Sequence, residues 1–586
     1  MRTVEEIVEL YNQRRTAAGP VHNQMRRVRE LANGDVIVPL NELDRNAKAS
    51  VANLLVQGLD QMSMRVSSTM PTPYFPPIKE GSERAKSSAR QRRKAMLSIW
   101  DENKMQMKMR RRARHLLGYS QSAVVLKPNF RTLTPTWTVR NPLDTFAAPV
   151  DDPDNMLPDD CIFTFRASAS YLIKMYGNEI TEKLRMGVVN SDSRYTMLEY
   201  VDAESLQLIV LGAEDNPGLN IAERAGMDAL GLEFVPNRTG MPLAVVANRI
   251  TLDKPRGQFD GVMGMYYTRA RLQALTEIAI ERGIFPEEYL VARPGENPEI
   301  LQLADGKAGQ LGVVKGGDIQ QLQLNPGYKT DTALDRLERQ ERLEGAIPAE
   351  FGGESGTNIR TGRRGESILA ATVDFRVQEA QEIFANALQE EDKIAIAIEK
   401  AYWGSSSKSF FIPGRQTVGK VDYVPNKIWE TDFHYVAYSA AGTDVNNLII
   451  GLGQRVGTGL MSKESAREAD PLIADPDMEH DRIVSEGVEA ALLSSIQQQA
   501  ANPAGPYQPA DLAMLVKKVM VDNKSLFDAV KEVDEAARER QAAEVPAGAP
   551  EGMPGLAMPG MGAEAPMAAP PGGGGGIEAL LAQLGG

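Results

Sequence analysis

Between residues 366 and 401 the sequence carries one sustained helical face: Val373, Val377, Ala380, Phe384, Ala387, Ile394 and Ile398 fall on it, and Glu391 is its single gap. At roughly 35 residues and 1.5 Å per residue this rod spans about 50 Å. Such a length exceeds what an ordinary globular core needs and suits an oligomeric ring. The apolar stripe itself reads as core packing.

What precedes the rod is as informative. Residues 258–283 form a continuous helical pattern with Tyr267, Ala270, Ala274 and Ile278, stopped by Gly283 and Pro286. Residues 286–327 then turn β-like, with short apolar pieces separated by Gly295, Gly306, Gly309, Gly316 and Gly317. A second helix is expected over 329–345. Its apolar residues are few (Ala333, Leu334, Leu337, Leu343), and Asp335–Arg339 and Glu338–Arg342 are acid-first i, i+4 pairs. So narrow a stripe reads as a helix packed edge-on against identical neighbours. After Ile347-Pro348 comes a loop, 348–365, with Gly352, Gly353, Gly356, Gly362 and Gly365 and with Arg360, Arg363 and Arg364. Glycines make it mobile, and arginines make it attractive to phosphate. An ordinary surface loop has the same composition.

The first 257 residues alternate helices and strands. Val4, Ile7, Val8 and Tyr11 define an amphipathic helix over 3–15, and Ala52, Leu55, Val56 and Leu59 define another over 45–66. The proline-rich run 70–77 stops the second. A long helix is expected over 83–117, with twelve Lys/Arg against three acids (Glu83, Asp101, Glu102), a local charge of +9. It faces either nucleic acid or a partner, or else is a solvated helix neutralised by acids of a neighbouring subunit. Strand alternation surrounds Trp137 and Val139, Phe163 and Phe165, and Leu206, Leu208 and Val210. Strands return over 409–438, and helices follow from 443. Ser462 is placed to cap one of them and Asp475-Pro476-Asp477 to start another. A last helix covers 509–541, broken near Asp522-Asn523. From 545 to 576, seventeen of thirty-two residues are Gly or Pro, so a disordered tail is expected, ending in a helically spaced peptide with Ile577, Leu580, Leu581 and Leu584.

Chemistry is sparse. The net charge is −13, from 65 basic and 78 acidic side chains, and Cys161 is the one cysteine, which excludes intrachain disulfides and all-cysteine metal sites. No apolar run reaches the ~18 residues of a membrane span. MRTVEEIVEL has no apolar core of the kind a secretory signal needs. Gly306-Lys307 and Gly419-Lys420 lack the following Ser or Thr of a phosphate-binding loop. Gly352–Thr357 lacks the final glycine of a nucleophile elbow, and Gly451-Leu452-Gly453 the third glycine of a dinucleotide loop. Five aspartates (Asp151, Asp152, Asp154, Asp159, Asp160) crowd one loop, as a solvated turn or a divalent-cation site without the mid-loop glycine of an EF-hand. No catalytic residue, cofactor or metal site is assigned, and the chain is not expected to be an enzyme.

The order of elements resembles that of the portal (head-to-tail connector) proteins of tailed bacteriophages. Local text carries the likeness: Trp100-Asp101-Glu102-Asn103 in the basic helix, Ile347-Pro348-Ala349-Glu350-Phe351-Gly352 leading to Gly365-Glu366-Ser367, and Gly459–Glu468 opening the C-terminal helices. The resemblance implies an α+β, multi-part subunit. Residues 1–257 would be the wing, 258–285 and 328–347 the stem helices, 286–327 the clip, 348–365 the tunnel loop and 366–401 the long helix. Residues 402–440 would be the wing's return strands, 441–544 a helical crown and 545–586 the tail. It further implies a ring of about twelve copies at one capsid vertex of the virion, assembled in the host cytoplasm. Its partners would be double-stranded DNA, the terminase, a head–tail adaptor, and the major capsid and scaffolding proteins, with no membrane. On this reading Asn358, Arg360, Arg363 and Arg364 touch passing DNA weakly. The rival readings are another ring-forming or minor capsid or scaffold protein, and a nucleic-acid enzyme using the aspartate loop.

Overall fold

A computed structural model describes the chain except residues 1, 35–52, 80–81, 153, 178, 184–192, 213–227, 252–253, 285–287, 293, 296, 298, 303–312, 316, 322–328, 346–361, 413–418, 439–444, 471–472, 474–475, 502–508, 521–525 and 545–586. It is an α+β protein in two units, Met1–Ala474 and Asp475–Gly586.

The first unit opens with helix α1 (Val4–Asn33), twice the length the periodicity predicts. Thr3 and Glu6 form a reciprocal capping box at its start, and Gly34, at φ 76°, closes it in the left-handed conformation that glycine tolerates. Pro20 lies inside and removes one ladder bond. The helix runs through because Ile7 and Tyr11 are buried before the proline and Met25, Val28 and Leu31 after it. Helix α2 (Leu54–Ser68) follows, capped by Asn53. The proline-rich run then contributes strand β1 (Thr72–Tyr74).

The expected single basic helix is two: α3 (Glu83–Glu102) and α4 (Met105–Tyr119). The joint is Asn103-Lys104, with Lys104 left-handed at φ 53°. Asn103 is buried and uses its whole amide there. Its Nδ2 donates to Ile99 O and Pro135 O, and its Oδ1 accepts from Trp137 N and Lys108 Nζ. Helix periodicity holds no record of such a tertiary tie.

Two antiparallel sheets come next. Strands β2 (Gln121–Asn129), β3 (Thr134–Arg140) and β9 (Ala244–Asn248) pair in the order β3-β2-β9. The other sheet is a meander of β4 (Thr145–Ala147), β5 (Asp160–Ser168), β6 (Arg194–Asp202), β7 (Ser205–Val210) and β8 (Leu230–Pro236). Helices α5 (Ala169–Tyr176) and α6 (Glu179–Lys183) join β5 to β6. A buried Glu199 on β6 takes Lys127 and Arg140, and Arg140 lies 5.6 Å over both the Phe163 and Phe165 rings. A short pair, β10 (Ile250–Thr251) and β11 (Lys254–Pro255), leads to α7 (Met263–Ile284).

Beyond the segment carrying β12 (Glu288–Ala292), β13 (Glu299–Gln302), β14 (Val313–Lys315), β15 (Gly317–Gln321) and α8 (Lys329–Glu344), the central helix α9 runs from Gly362 to Trp403. Its 42 residues correspond to about 63 Å. It starts four residues before the predicted 366. Phe384, Leu388, Ala395 and Ile398 are fully buried on it, in a core shared with α2, α3, α4 and the three-stranded sheet. Strands β16 (Lys408–Ile412) and β17 (Gly419–Tyr423), helix α10 (Pro425–Ile428) and strand β18 (Tyr435–Ala437) return to this core. β18 pairs with β1 across some 360 residues of chain, Pro73 opposite Val436.

Three carboxylates of α9 are wholly buried: Glu391, Asp392 and Glu399. Arg112 of α4 grips Glu391 with both terminal nitrogens, at 2.9 and 2.5 Å, and Trp137 Nε1 donates to the same carboxylate at 3.0 Å. Trp100 Nε1 donates to Asp392 at 2.8 Å, and His434 Nε2 stands 3.6 Å from its other oxygen. Glu399 accepts from Tyr423 at 3.0 Å and Trp429 Nε1 at 3.2 Å, and pairs with Lys408. Burial pushes the Glu391 and Asp392 carboxyls up, and their donors oppose it. Burial alone would lower His434, but the Asp392 carboxylate beside it outweighs burial and raises it. The "gap" at Glu391 is therefore an inward-facing anchor.

The unit ends with α11 (Val445–Gly457) and α12 (Lys463–Ala469), the latter capped by Ser462 as expected. The second unit contains α13 (Pro476–Ala501), α14 (Pro509–Met520) and α15 (Leu526–Glu544). Leu515, Val530, Val533 and Ala537 are buried in it, and Lys518 pairs with Glu532. The predicted break near Asp522-Asn523 falls between α14 and α15. The predicted tail, 545–586, lies outside the described residues.

Removing Arg112 alone strands a buried charge. Arg112→Met is expected to cost about 3–5 kcal/mol. Arg112→Met combined with Glu391→Leu should recover most of that, leaving chiefly the Trp137 N–H unpaired, at about 1–3 kcal/mol. Urea unfolding of the two variants side by side measures the difference, and a double variant no better than the single one contradicts it.

Candidate functional site

Helices α7 and α8 lie antiparallel. Gln258, just before α7, donates to Gly345 O at 3.3 Å, just after α8, and a turn or more further on Arg269 meets Glu341. Beyond the helices, β12 pairs with β15, from Glu288 opposite Gln321 to Ala292 opposite Gly317. β13 and β14 pair inside them, with Ile300 opposite Val314. The pairings nest one within the next, so residues 257–345 form one long hairpin whose base is helical and whose outer part is β. The expected sequence of helix, small β insertion and charged helix is present in this form.

The hairpin's base is fixed by a few contacts. Phe259, Val262, Tyr266 and Ala270 are buried against Val28 and Leu31 of α1 and Leu54 and Leu55 of α2. Further along, Leu275 and Ile280 are about half exposed, and near the base Leu343 of α8 is exposed. Between the helices Arg269 and Glu341 are both buried and joined at 3.0–3.1 Å, with Glu338 3.8 Å from the same guanidinium. Glu338 also binds Arg342 at 2.9 Å, so one of the two expected i, i+4 pairs closes within the helix. At the root, Arg376 of α9 donates to Glu344 O at 3.2 Å, and Arg249 binds Glu379 at 2.9 Å. A Cβ on Gly261 would stand 2.6 Å from the Glu344 carboxylate and 2.9 Å from Arg256, so that position has little room for a side chain.

Of the four residues expected to contact DNA, Asn358 and Arg360 lie outside the described residues. Arg363 and Arg364 fall in the first turn of α9, because the helix begins at Gly362. The structure describes their backbone only.

Part of the charge of the basic pair α3–α4 is met inside its own chain. Besides Arg112 with Glu391, Arg114 binds Asp60 at 2.8 Å, Arg90 binds Glu464 at 3.0 Å and Arg93 stands 3.7 Å from Glu468. Lys108 donates to Trp137 O at 2.6 Å, and burial lowers its ammonium to about 8. Arg112, Arg114, Arg90 and Arg93 are thus neutralised by acids of this chain's own α9, α2 and α12, a pairing that charge counting along a helix does not reveal.

The aspartate loop divides. Asp160 is buried under Arg14 and Arg2, the latter at 3.2 Å. Asp151, Asp152, Asp154 and Asp159 are exposed, and Asp152 Oδ1 accepts from Asp154 N to shape the turn. Among the described residues no group of three or more His, Cys, Asp or Glu is placed to hold a metal. Gly451 and Gly453 lie inside α11 and form no strand–turn–helix loop. Residues 352–357 lie outside the described residues. Sequence reasoning missed Arg269 and Glu341. The one available signal was a polar pair recurring on the otherwise apolar faces of two helices expected to be neighbours.

The chain matches no known protein-family profile. Comparison with curated proteins finds no relative.

Burial raises the Glu341 carboxyl from 4.5 to about 7, with Arg269 pulling the other way. A carboxyl raised by folding stabilises the fold in its protonated form, so this contribution is complete below pH 4.5 and is lost as pH climbs to about 7. Glu341→Gln is expected to remove that part of the pH dependence. Thermal unfolding of both proteins from pH 4 to 8 checks it: the curves should agree at the acidic end, with the wild type falling below the variant towards neutrality.

Proposed function

We propose that this chain is the portal subunit of a tailed bacteriophage, assembling as a ring of about twelve copies that conducts double-stranded DNA into and out of the capsid. The observation that carries the reading is the nested hairpin of residues 257–345 leading, after a short connection, into a 42-residue helix. A hairpin that, among the described residues, is anchored at its base, with half-exposed Leu275 and Ile280 further along and an exposed Leu343 near the base, is suited to packing beside copies of itself. In this arrangement the paired helices are the stem, the β part is the clip that docks the terminase and later a head–tail adaptor, and 348–365 is the tunnel loop. The sheets form the wing, and the C-terminal helices form the crown.

Electrostatics support the same reading. Double-stranded DNA carries one charge per ~1.7 Å of axis, and a strongly basic channel would hold it fast. The chain carries a net −13, and four arginines of its basic helix pair are paired with its own acids. A few arginines, Arg360 before α9 and Arg363 and Arg364 in its first turn, then guide DNA without trapping it, beside Asn358. ATP hydrolysis belongs to the terminase.

Native mass measurement and negative-stain imaging of the purified protein test the assembly. Rings of about a dozen copies with a central hole are expected, and a protein that stays monomeric at high concentration ends the reading. Neutralising Arg360, Arg363 and Arg364 to Gln should change DNA translocation or retention in packaging assays and leave ring formation intact. Wild-type packaging and retention by that variant would remove those residues from the DNA path.

A further inference from the structure

A cleft of about 390 Å³ lies between the end of α1 and α4. Its wall includes Arg29 from α1, Arg111, Arg114, His115 and Tyr119 from α4, and Asn141 after β3. Among the described residues three guanidiniums share this wall, and no carboxylate lines it. Asp60 binds Arg114 from the side at 2.8 Å. Among the described residues neither Arg29 nor Arg111 has a carboxylate partner, and Arg111 donates only to the Val139 carbonyl, at 2.9 Å. Arg112, Arg90 and Arg93 elsewhere on α3–α4 do have such partners, in Glu391, Glu464 and Glu468.

A further observation bears on the site. His115 lines the cleft with a buried Nδ1 that has no hydrogen-bond partner. Burial, with Arg111 and Arg112 alongside, lowers its imidazole to about 4, so it is neutral at physiological pH. The C-terminal ends of α1 and α4 both reach the cleft, and their negative dipole ends oppose an anion, so the three guanidiniums must outweigh them. Gly34 N–H returns to the Glu30 and Leu31 carbonyls, and the Asn53 amide donates to Leu31 O and Ala32 O at 2.8 and 3.3 Å.

We infer that this cleft binds a phosphoryl anion, held by the guanidiniums of Arg29, Arg111 and Arg114. Arginine suits phosphate because its planar fork donates two parallel hydrogen bonds to two oxygens. The cavity has room for a phosphate or diphosphate group but not for the width of a duplex. The ligand is therefore either a free phosphate compound or a single backbone phosphate presented at the mouth. The inference stands apart from the portal reading, since it requires neither a ring nor a channel.

Titration calorimetry of the full-length protein with inorganic pyrophosphate, in low salt at pH 7.5, tests it. Saturable binding is expected. Arg29→Gln combined with Arg114→Gln should weaken it at least tenfold. Asp60→Asn, which frees Arg114 from its competitor, should tighten it by roughly two- to fivefold, the equivalent of one exposed ion pair. A short DNA duplex added as competitor distinguishes the sources: displacement of pyrophosphate identifies a backbone phosphate, and no displacement identifies a free phosphate compound. Absence of saturable pyrophosphate binding by the wild type, or equal affinity in the arginine double variant, overturns the assignment. If the double variant does not fold, an Asp60→Asn protein that binds no more tightly than wild type also overturns it.

Discussion

Three ionisable side chains sit where a helix of this kind should be greasiest. Glu391, Asp392 and Glu399 are inaccessible to water on α9, and each is held by the indole N–H of a different tryptophan: Trp137, Trp100 and Trp429. A buried carboxylate is tolerable only when its lone pairs are occupied and its charge is met. Arg112, Lys408 and His434 meet the charges. The donors arrive from α3, α4, β3 and the segments on either side of α10, so this set of contacts fixes where each of those elements docks. Apolar packing alone would permit the helix to rotate or slide by a turn. The carboxylates do not, because every shift would leave at least one unpaired.

The hairpin of residues 257–345 follows a different rule. Its base is anchored by Phe259, Val262, Tyr266 and Ala270, and one buried ion pair, Arg269 with Glu341, ties its two helices. Beyond that, burial thins out along both helices. The body of the unit is thus specified by polar contacts inside a dense core. The hairpin is held at one end, where Arg376 and Gln258 bind backbone carbonyls at the close of α8.

The sequence made the long helix, the order of elements in the hairpin, the strands around Trp137 and Phe163 and the Ser462 cap readable, because each depends on a local period or a local cap. The full extent of α1 was not readable past Pro20, since tertiary burial on both sides of the proline decided it. Nor was the break at Asn103-Lys104, which depends on a side chain reaching Pro135 and Trp137. Glu391 looked like an imperfection because its partner Arg112 is 279 residues away. The candidate DNA-contacting residues rest on the composition of residues 348–365 and on the resemblance that makes them a tunnel loop. Two of them stand at the start of α9, and the other two residues of that set lie outside the described part of the chain.

The reach of those carboxylate contacts has a consequence during synthesis. Asp392 needs Trp100 from far upstream and His434 from downstream, and Glu399 needs Lys408, Tyr423 and Trp429. A nascent chain that has left the ribosome only as far as α9 therefore carries unmatched acids on the rod around which its core must close. Closure waits for translation to pass His434, and contacts this distant in sequence form slowly. The core around α9 therefore closes late, and the segments that dock on it wait until then.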